Sequence, residues 1–511
     1  MNRHFIRGDQ RPTLDGANAM FAQIERAEPP LKAGGPWLVT LDAIGADWLV
    51  AQASSPHQAY FNFANRAAMS AARRDGRHRR ANGQRVNPFD TAPLFRIELE
   101  IQDWWHPQDS WLANAPDLEN LWFDVRIDGS SQWALQANIY SNAFLPPLAA
   151  MLTFQPVFGE METALAELVS LDEDFEEIGE TDLEQLLQGR AADALAIYHV
   201  GQGNANGLLG SSFNCQDSAV SIYYDMGCGV YGNSGTTPAP LNFCLDLRPP
   251  VVLSHWDSDH WMGAYAHEVP PGSCSYPCLD LDWVAPLQNV TTHHKTFALD
   301  VASHGSMRIY KPSAPGAVGT ASLGSPAHTK IQFTAGTGPR RNHSGIVLSV
   351  ERDLKPPAGD IHSWLLTGDC DYRHFWSSLS PPNLVGLVVP HHGAARPKNH
   401  TLPPPPVGGL IGQSSARPYR RLGYSFGAGN KQAFGVVHPV DATVTEHLKS
   451  GWDCLPWQTG LNVGNAYPGQ DTRATAQHVA PGADGVLVGW TAPPTLPFPA
   501  CASCTTRCSQ T

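Results

Sequence analysis

At 511 residues the chain is too long for one ordinary hydrophobic core, so two or three domains are expected. Its 42% hydrophobic and 16% charged residues are the composition of a soluble globular protein. The formal net charge of −13 argues against broad, sequence-independent binding to nucleic acid, because phosphate contacts need cationic surface, although a local basic groove is compatible with it.

The stretch Met1-Asn2-Arg3-His4-Phe5-Ile6 shows no apolar segment of signal-peptide type, and no run of about eighteen apolar residues suggests a membrane span. Ten Cys, the first at Cys215 and most far apart, do not resemble a disulfide framework. A cytoplasmic protein is expected.

In the first part, Trp37–Leu41 and Leu94–Ile101 read as strands, the second alternating apolar and charged residues. Leu121–Ile127 and Gln132–Ile139 suggest a hairpin around Asp128-Gly129. Helices are expected near 15–28, 57–74 and 158–170. Residues 1–190 therefore read as a separate small α+β domain with no nameable motif. Two charge features mark it. Seven Arg fall between Arg66 and Arg85, and Glu160–Glu184 is strongly acidic. The Arg run reads either as a phosphate-contacting arm or as a solvated loop pairing with the acidic segment, and the second reading is preferred.

From Ala194 the texture changes. Leu195–Val200 reads as a strand followed by the glycine turn Gly201-Gln202-Gly203-Asn204-Ala205, which lacks the third glycine and following helix of a dinucleotide fingerprint. Ser218–Gly227 is a strand closed by Asp225-Met226-Gly227. Val251-Val252-Leu253 is a buried strand, and Ser254-His255-Trp256-Asp257-Ser258-Asp259-His260 follows it directly. The region 263–330 is rich in Pro, Gly and Ser. Further strands are expected at His343–Val350, at Ser363–Thr367 running into Gly368-Asp369, at Leu384–Pro390 running into His391-His392-Gly393, and at Arg421–Gly427. The His438-Pro439 block comes next, then a short helix near Ala442–Leu448 and a Pro-rich, irregular tail.

Apolar strands thus end in Asp or His three times. Strands of one sheet end on a common edge, so these residues can share a pocket. His255, Asp257, Asp259, His260, Asp369 and one of His391 and His392 offer three imidazoles and three carboxylates. That suffices for two divalent metal ions with one bridging carboxylate, a centre suited to in-line displacement at a phosphoester. The oxygen-rich set leaves manganese, zinc or iron as candidates.

The ordered blocks Val-Gly-Gln-Gly-Asn-Ala, Tyr-Asp-Met-Gly, Ser-His-Trp-Asp-Ser-Asp-His, Leu-Leu-Thr-Gly-Asp, His-His-Gly and Gly-x-Gly-Asn…His-Pro resemble the metallo-β-lactamase superfamily. Within it they are most similar to the soluble hydrolase domain of the DNA-uptake protein ComEC. The resemblance covers roughly residues 194–445 and implies an αββα sandwich for a domain spanning 194–450, with 451–511 as an irregular Cys-containing tail. It implies that His255 and Asp257 hold one zinc or manganese ion and that Asp259 and His260 hold the other. Asp369 would bridge them, and His391 or His392 would complete a shell. A metal-bound hydroxide would be the nucleophile, with Asp259 or Asp257 orienting it, and His438 would bind or protonate the leaving oxygen.

The sequence departs from the pattern in places. The further His of many superfamily members has no recognisable block here, although His267, His293, His294 and His304 are available; ComEC-type members generally lack it. Asn204 stands where relatives often carry Asp. Trp256 and Trp261 flank the ligands, more as packing than as stacking platforms. Cys501, Cys504 and Cys508, with Cys454 or a His, are a weaker candidate for structural zinc.

The expected activity is a phosphodiesterase or nuclease acting on a phosphoester substrate, nucleic acid or nucleotide, with no membrane partner. The alternatives are hydrolysis of a small non-nucleic ester or lactone, or a regulatory or effector protein of a bacterial defence system working through residues 1–190 and a protein partner.

Overall fold

The structure is a computed structural model that describes residues 1–7, 11–28, 35–51, 87–101, 121–172, 174–211, 218–239, 241–267, 276–356, 359–394, 421–424, 439–450, 452, 457–458 and 486–490. The chain divides into two compact units, Met1–Glu176 with Asn289–Met307, and Glu177–Gln288 with Arg308–Thr511. Among the described residues no helix is long and apolar enough to cross a membrane.

The first unit is built on β1 (Ala19–Glu28), β2 (Trp37–Gly45), β3 (Leu94–Ile101), β4 (Trp122–Ile127), β5 (Leu135–Tyr140) and β6 (Leu148–Pro156). They close a barrel in the order β1-β2-β3-β5-β6-β4, with every pairing antiparallel. Its core follows the period-two rule: Met20, Ala22 and Ile24 on β1, Val39, Leu41 and Ala43 on β2, and Phe95, Ile97, Leu99 and Ile101 on β3. Closure leaves no unpaired sheet edge.

Two sequence expectations fail in this unit. Residues 15–28 do not form a helix. They carry β1, whose alternation is interrupted by a register shift between Ile24 and Arg26 that hides the period in the sequence. Nor do the strands flanking Asp128-Gly129 pair with each other. Ile127 and Leu135 both face Leu152, so β6 lies between β4 and β5. The helix expected at 158–170 forms as α2 (Glu160–Val169), after the short α1 (Ala46–Ala51), whereas 57–74 lies outside the described residues.

The second unit begins with β7 (Glu176–Ile178) and α3 (Glu180–Leu187), ahead of the change of texture at Ala194. Its strands are β8 (Ala194–Ile197), β9 (Ala205–Ser211), β10 (Ser218–Met226), β11 (Val251–Val252), β12 (Asp282–Pro286), β13 (Ser306–Tyr310), β14 (Val318–Ser322), β15 (Thr329–Ala335), β16 (Ile346–Asp353), β17 (Ile361–Leu366), β18 (Leu384–Val388), β19 (Arg421–Tyr424), β20 (Trp457–Gln458) and β21 (Val486–Val488). They form an eight-stranded sheet, β21-β8-β9-β10-β11-β12-β13-β7, and a seven-stranded sheet from β14 to β20 in chain order. The protein is mixed α/β. The tail is not wholly irregular, since the apolar Val486-Leu487-Val488 pairs antiparallel with β8.

One buried cluster draws on both sheets. It joins Leu195, Ile197, Ile222, Val252 and Val284 to Ile331, Phe333, Leu348, Val350, Trp364, Leu366 and Val388. The two inner faces therefore share a core. On the other face of the seven-stranded sheet, Val347, Leu365 and Leu387 pack with Phe375, Leu379 and Trp452, against Val444 of α6 (Asp441–Lys449). Two further helices, α4 (Gly263–Ala266) and α5 (Thr292–His304), occupy the Pro- and Gly-rich region. The segment Asn289–Met307 belongs to the first unit, where Thr291 Oγ1 donates to Asp42 Oδ2 at 2.5 Å and Asn87 Nδ2 donates to the Thr296 carbonyl at 2.9 Å.

Candidate metal centre

Four strand ends of the second unit supply the candidate residues. β10 and β11 run parallel, with Tyr224 level with Val252, so Asp225 and the loop after Leu253 leave the sheet at the same edge. β17 and β18 are also parallel, Leu366 level with Val388, which brings Asp369 and His391-His392 out together. Two hydrogen bonds join the edges. Ile346 N donates to the Ser254 carbonyl at 2.8 Å, and the Tyr224 hydroxyl donates to the Ile346 carbonyl at 2.7 Å.

Seven of the eight residues singled out in the sequence meet there. His255, His260 and Asp369 form one group of potential metal ligands, and Asp259, His260 and His392 form a second. His260 Nε2 lies 3.1 Å from Asp369 Oδ1, and His255 Nε2 lies 3.6 Å from Asp369 Oδ2. His391 Nε2 is 3.5 Å from Asp369 Oδ2, whereas His392 Nε2 is 3.2 Å from Asp259 Oδ2 and 3.9 Å from Asp369 Oδ1. Asp257 Oδ2 is 3.5 Å from His255 Nε2. His438, the Arg66–Arg85 run and Cys454, Cys501, Cys504 and Cys508 lie outside the described residues.

The donor set fits divalent cations. His255 Nε2, His260 Nε2 and Asp369 Oδ1 are buried with no partner in hydrogen-bonding geometry. Such orphaned polar atoms cost about 1–3 kcal/mol each unless something else satisfies them. Mixed imidazole and carboxylate donors suit zinc, manganese or iron.

The local field favours positive charge. Burial opposes ionisation of Asp369, but His391, His260 and His255 outweigh it and hold the carboxyl well below its ordinary range. Desolvation of the half-buried Asp259 is outweighed by the His392 hydrogen bond and by the charges of His260 and His392, which bring it down to about 2. Burial works against a charged His260, yet Asp369 and Asp225 raise it well above its usual value.

Asp225 was visible in the sequence only as the close of a strand. Fully buried, its carboxylate accepts from Ser254 N at 2.6 Å and from Ser254 Oγ, Asn204 Nδ2 and His260 Nδ1 at 2.8 Å each. Bonding Nδ1 leaves Nε2 to face Asp369, the usual device for fixing the tautomer of a metal-binding imidazole. Asn204 has a role here that Asp would not fill, because an amide can donate to Asp225. Two other residues escaped the sequence reading: Arg341, whose Nε is 3.4 Å from Asp257 Oδ1, and Asn342, whose Nδ2 is 3.4 Å from Asp369 Oδ2. No local sequence signal marks either one.

Backbone geometry is unusual at the centre. Asp225 (φ 61°), His391 (φ 49°) and His392 (φ 51°) are all left-handed, which non-glycine residues adopt rarely and which clusters at functional sites. The glycine turn backs the ligand loop rather than cradling a ligand. Asn204 N donates to the Asp259 carbonyl at 3.0 Å, and a Cβ on Gly227 would stand 1.7 Å from that carbonyl oxygen. Trp256 and Trp261 are fully buried, their indoles donating to the carbonyls of Pro286 and Trp256, so they act in packing. Of the spare His, His267 accepts from Phe243 N at 2.9 Å, and His293, His294 and His304 lie in the first unit. None joins the centre.

No known family model matches the chain, and no curated protein matches it.

Proposed function

We propose that the second unit is a metal-dependent hydrolase acting on phosphodiesters through a two-cation centre, and that its two sheets with their flanking helices are an αββα metallo-β-lactamase arrangement. The observation that carries this reading is the placement of Asp369. One of its oxygens faces His260 and His392, the other faces His255 and His391, as expected of a carboxylate shared between two cations. In this reading Asp259, His260 and His392 hold one ion, and His255 and Asp257, with His391, hold the other. Bound divalent ions would supply Lewis-acid polarisation of a phosphoryl oxygen and a nucleophile at neutral pH.

The chain's own groups do the rest. Asp257, Asp259 and Asp369 offset the positive charge of the ions, Asp225 keeps the proton of His260 on Nδ1, and Arg341 steadies Asp257. His391 is the most exposed of these imidazoles, 28% against 3% for His392. Hydrolysis of an uncharged ester or lactone is the competing enzymatic reading, and a defence effector working through the first unit is the competing non-enzymatic one.

The test starts from full-length protein stripped with chelator and reloaded with manganese or zinc, assayed on single- and double-stranded DNA, RNA and cyclic nucleotides. His392→Ala is expected to weaken metal binding by at least tenfold, and His391→Ala by less, in keeping with their burial. Metal-loaded protein that cleaves no phosphodiester would overturn the reading.

A further inference from the structure

Resting on the two-cation reading, we propose that α6 is a clamp that sets the placement of His391 and His392 relative to Asp369, with Thr443, His447 and Tyr372 as its positioning residues. It grips both ligand loops at once, so it governs the pair of cations rather than any single ligand.

The two loops leave the neighbouring parallel strands β17 and β18, and α6 packs on the outer face of this sheet through Val444. At the start of the helix, Val440 N donates to the Gly393 carbonyl at 2.9 Å and Thr443 Oγ1 donates to the Ala394 carbonyl at 2.7 Å, on the two residues that follow His392. One turn on, His447 Nδ1 donates to the Thr443 carbonyl at 2.8 Å. A carbonyl only accepts, so this bond places the ring hydrogen on Nδ1 and leaves Nε2 to accept from the Tyr372 hydroxyl at 3.0 Å. Tyr372 opens the single helical turn that follows Asp369. That segment is itself tied through: Cys370 N donates to the Thr367 carbonyl at 3.1 Å, His374 N to the Asp371 carbonyl at 3.0 Å and Trp376 N to the Tyr372 carbonyl at 2.9 Å. Thr443 thus stands in the middle of one chain of contacts. Its hydroxyl holds the His391–His392 loop, and its carbonyl lies on the path to Asp369.

Packing alone does not call for these groups. Tyr372, Thr443 and His447 are all buried, and Tyr372 lies among Val347, Leu365, Phe375, Leu379 and Trp452. Apolar side chains would fill that space without desolvating a hydroxyl and an imidazole. The hydrogen bonds add direction, because they weaken steeply once donor and acceptor leave their line. A metal centre needs its ligands held to within about 0.5 Å. Two cations sharing Asp369 need His391 and His392 fixed on its opposite sides, and the left-handed backbone of both residues persists only with support from outside the loop.

The experiment reads metal binding before activity. Full-length protein is stripped of metal and titrated with manganese(II). Calorimetry gives the affinity for each ion, and electron paramagnetic resonance gives the exchange coupling between the two. Thr443→Ala and Tyr372→Phe are each expected to weaken the second ion by roughly tenfold and to shift the coupling. Thr443→Ser keeps the hydroxyl and should restore both. Either loss releases the clamp, so the double variant should lose much less than the product of the single losses. Val444→Ala removes packing from the same helix and keeps its hydrogen bonds; it should lower the urea midpoint and leave both metal readouts at wild-type values.

Unchanged metal readouts in Thr443→Ala and Tyr372→Phe overturn the proposal. So does an equal loss in Val444→Ala, which would mark the helix as packing alone, and so do losses that multiply in the double variant. A wild type that binds two ions and cleaves no phosphodiester, with the variants behaving as stated, leaves the clamp standing and sinks the hydrolase reading. A wild type that cleaves while its variants bind metal unchanged does the reverse, and fewer than two ions bound by the wild type sinks both.

Discussion

Asp225→Asn isolates the charge of the residue behind the centre while keeping its shape, and Asn tolerates the left-handed backbone that Asp225 adopts at φ 61°. One carboxylate oxygen accepts only from Ser254 N, and an amide oxygen can do the same. The other accepts from Ser254 Oγ, Asn204 Nδ2 and His260 Nδ1, all at 2.8 Å. An NH2 there would oppose the Asn204 amide and would have to donate to His260 Nδ1. The imidazole proton would then move to Nε2, the atom that stands 3.1 Å from Asp369 and belongs to both ligand groups. Loss of a partner behind a metal-binding His typically lowers affinity 10- to 100-fold, about 1.4–2.7 kcal/mol. The metal-free fold should also lose about 1.5–3 kcal/mol for each charge-assisted bond not replaced. Competition against a chromophoric chelator measures the affinity, and nitrogen-15 NMR of the imidazoles reports the tautomer. Metal affinity within about twofold of wild type, with the Nδ1–H tautomer retained, would refute the role assigned to Asp225.

The remaining predictions concern packing and pH. Gly227→Ala puts a methyl 1.7 Å from the Asp259 carbonyl oxygen and must displace the ligand loop, so it should lower metal affinity and cost about 3 kcal/mol or more in urea unfolding. Gly129→Ala, with nothing within 4 Å of the added carbon, should stay within about 0.5 kcal/mol of wild type. His267, nine-tenths buried and bonded to Phe243 N, has its pKa lowered by burial to about 4, so the folded state keeps it neutral. The unfolded chain binds a proton at this ring below about pH 6.5, so the contribution is fully present above that pH and falls away as pH drops toward 4, by up to about 3 kcal/mol. His267→Asn retains an acceptor near the Nδ1 position without titrating. Urea midpoints measured from pH 7 to pH 4.5 should therefore fall less steeply in this variant, and parallel curves would show that His267 does not titrate as stated.

How much could be read in advance depended on how local the cause was. The candidate loop was legible because Val251-Val252-Leu253 is a buried strand and His255, Asp257, Asp259 and His260 follow within a few residues; Asp369 and His391-His392 repeat the pattern, but they end strands of the other sheet, and the meeting of the two edges through Tyr224, Ser254 and Ile346 had no sequence signal. The barrel was not legible, because its order depends on long-range pairing: β6 comes between two strands that a short Asp-Gly link seemed to join, and the register shift in β1 blurs its alternation. Arg341 and Asn342 were invisible because they reach the centre only when the β15–β16 loop meets Asp257, far earlier in the chain, and Asp369, 27 residues beyond Asn342. The choice between His391 and His392 was undecidable for a different reason. Ring direction depends on φ, and the left-handed values at both positions could not be foreseen from two adjacent His. In the folded chain the rings stand 6.3 Å apart at 70° and approach opposite oxygens of Asp369. That divergence requires the strained backbone, whose cost is of order 1–3 kcal/mol per residue. It is met by fixed neighbours: His391 N donates to the Gly368 carbonyl at 3.1 Å, Ala394 N to the His391 carbonyl at 2.7 Å, and Val440 N to the Gly393 carbonyl at 2.9 Å. A pair held in this way can serve both sides of one shared carboxylate, which an extended or helical His-His could not do from a single strand end.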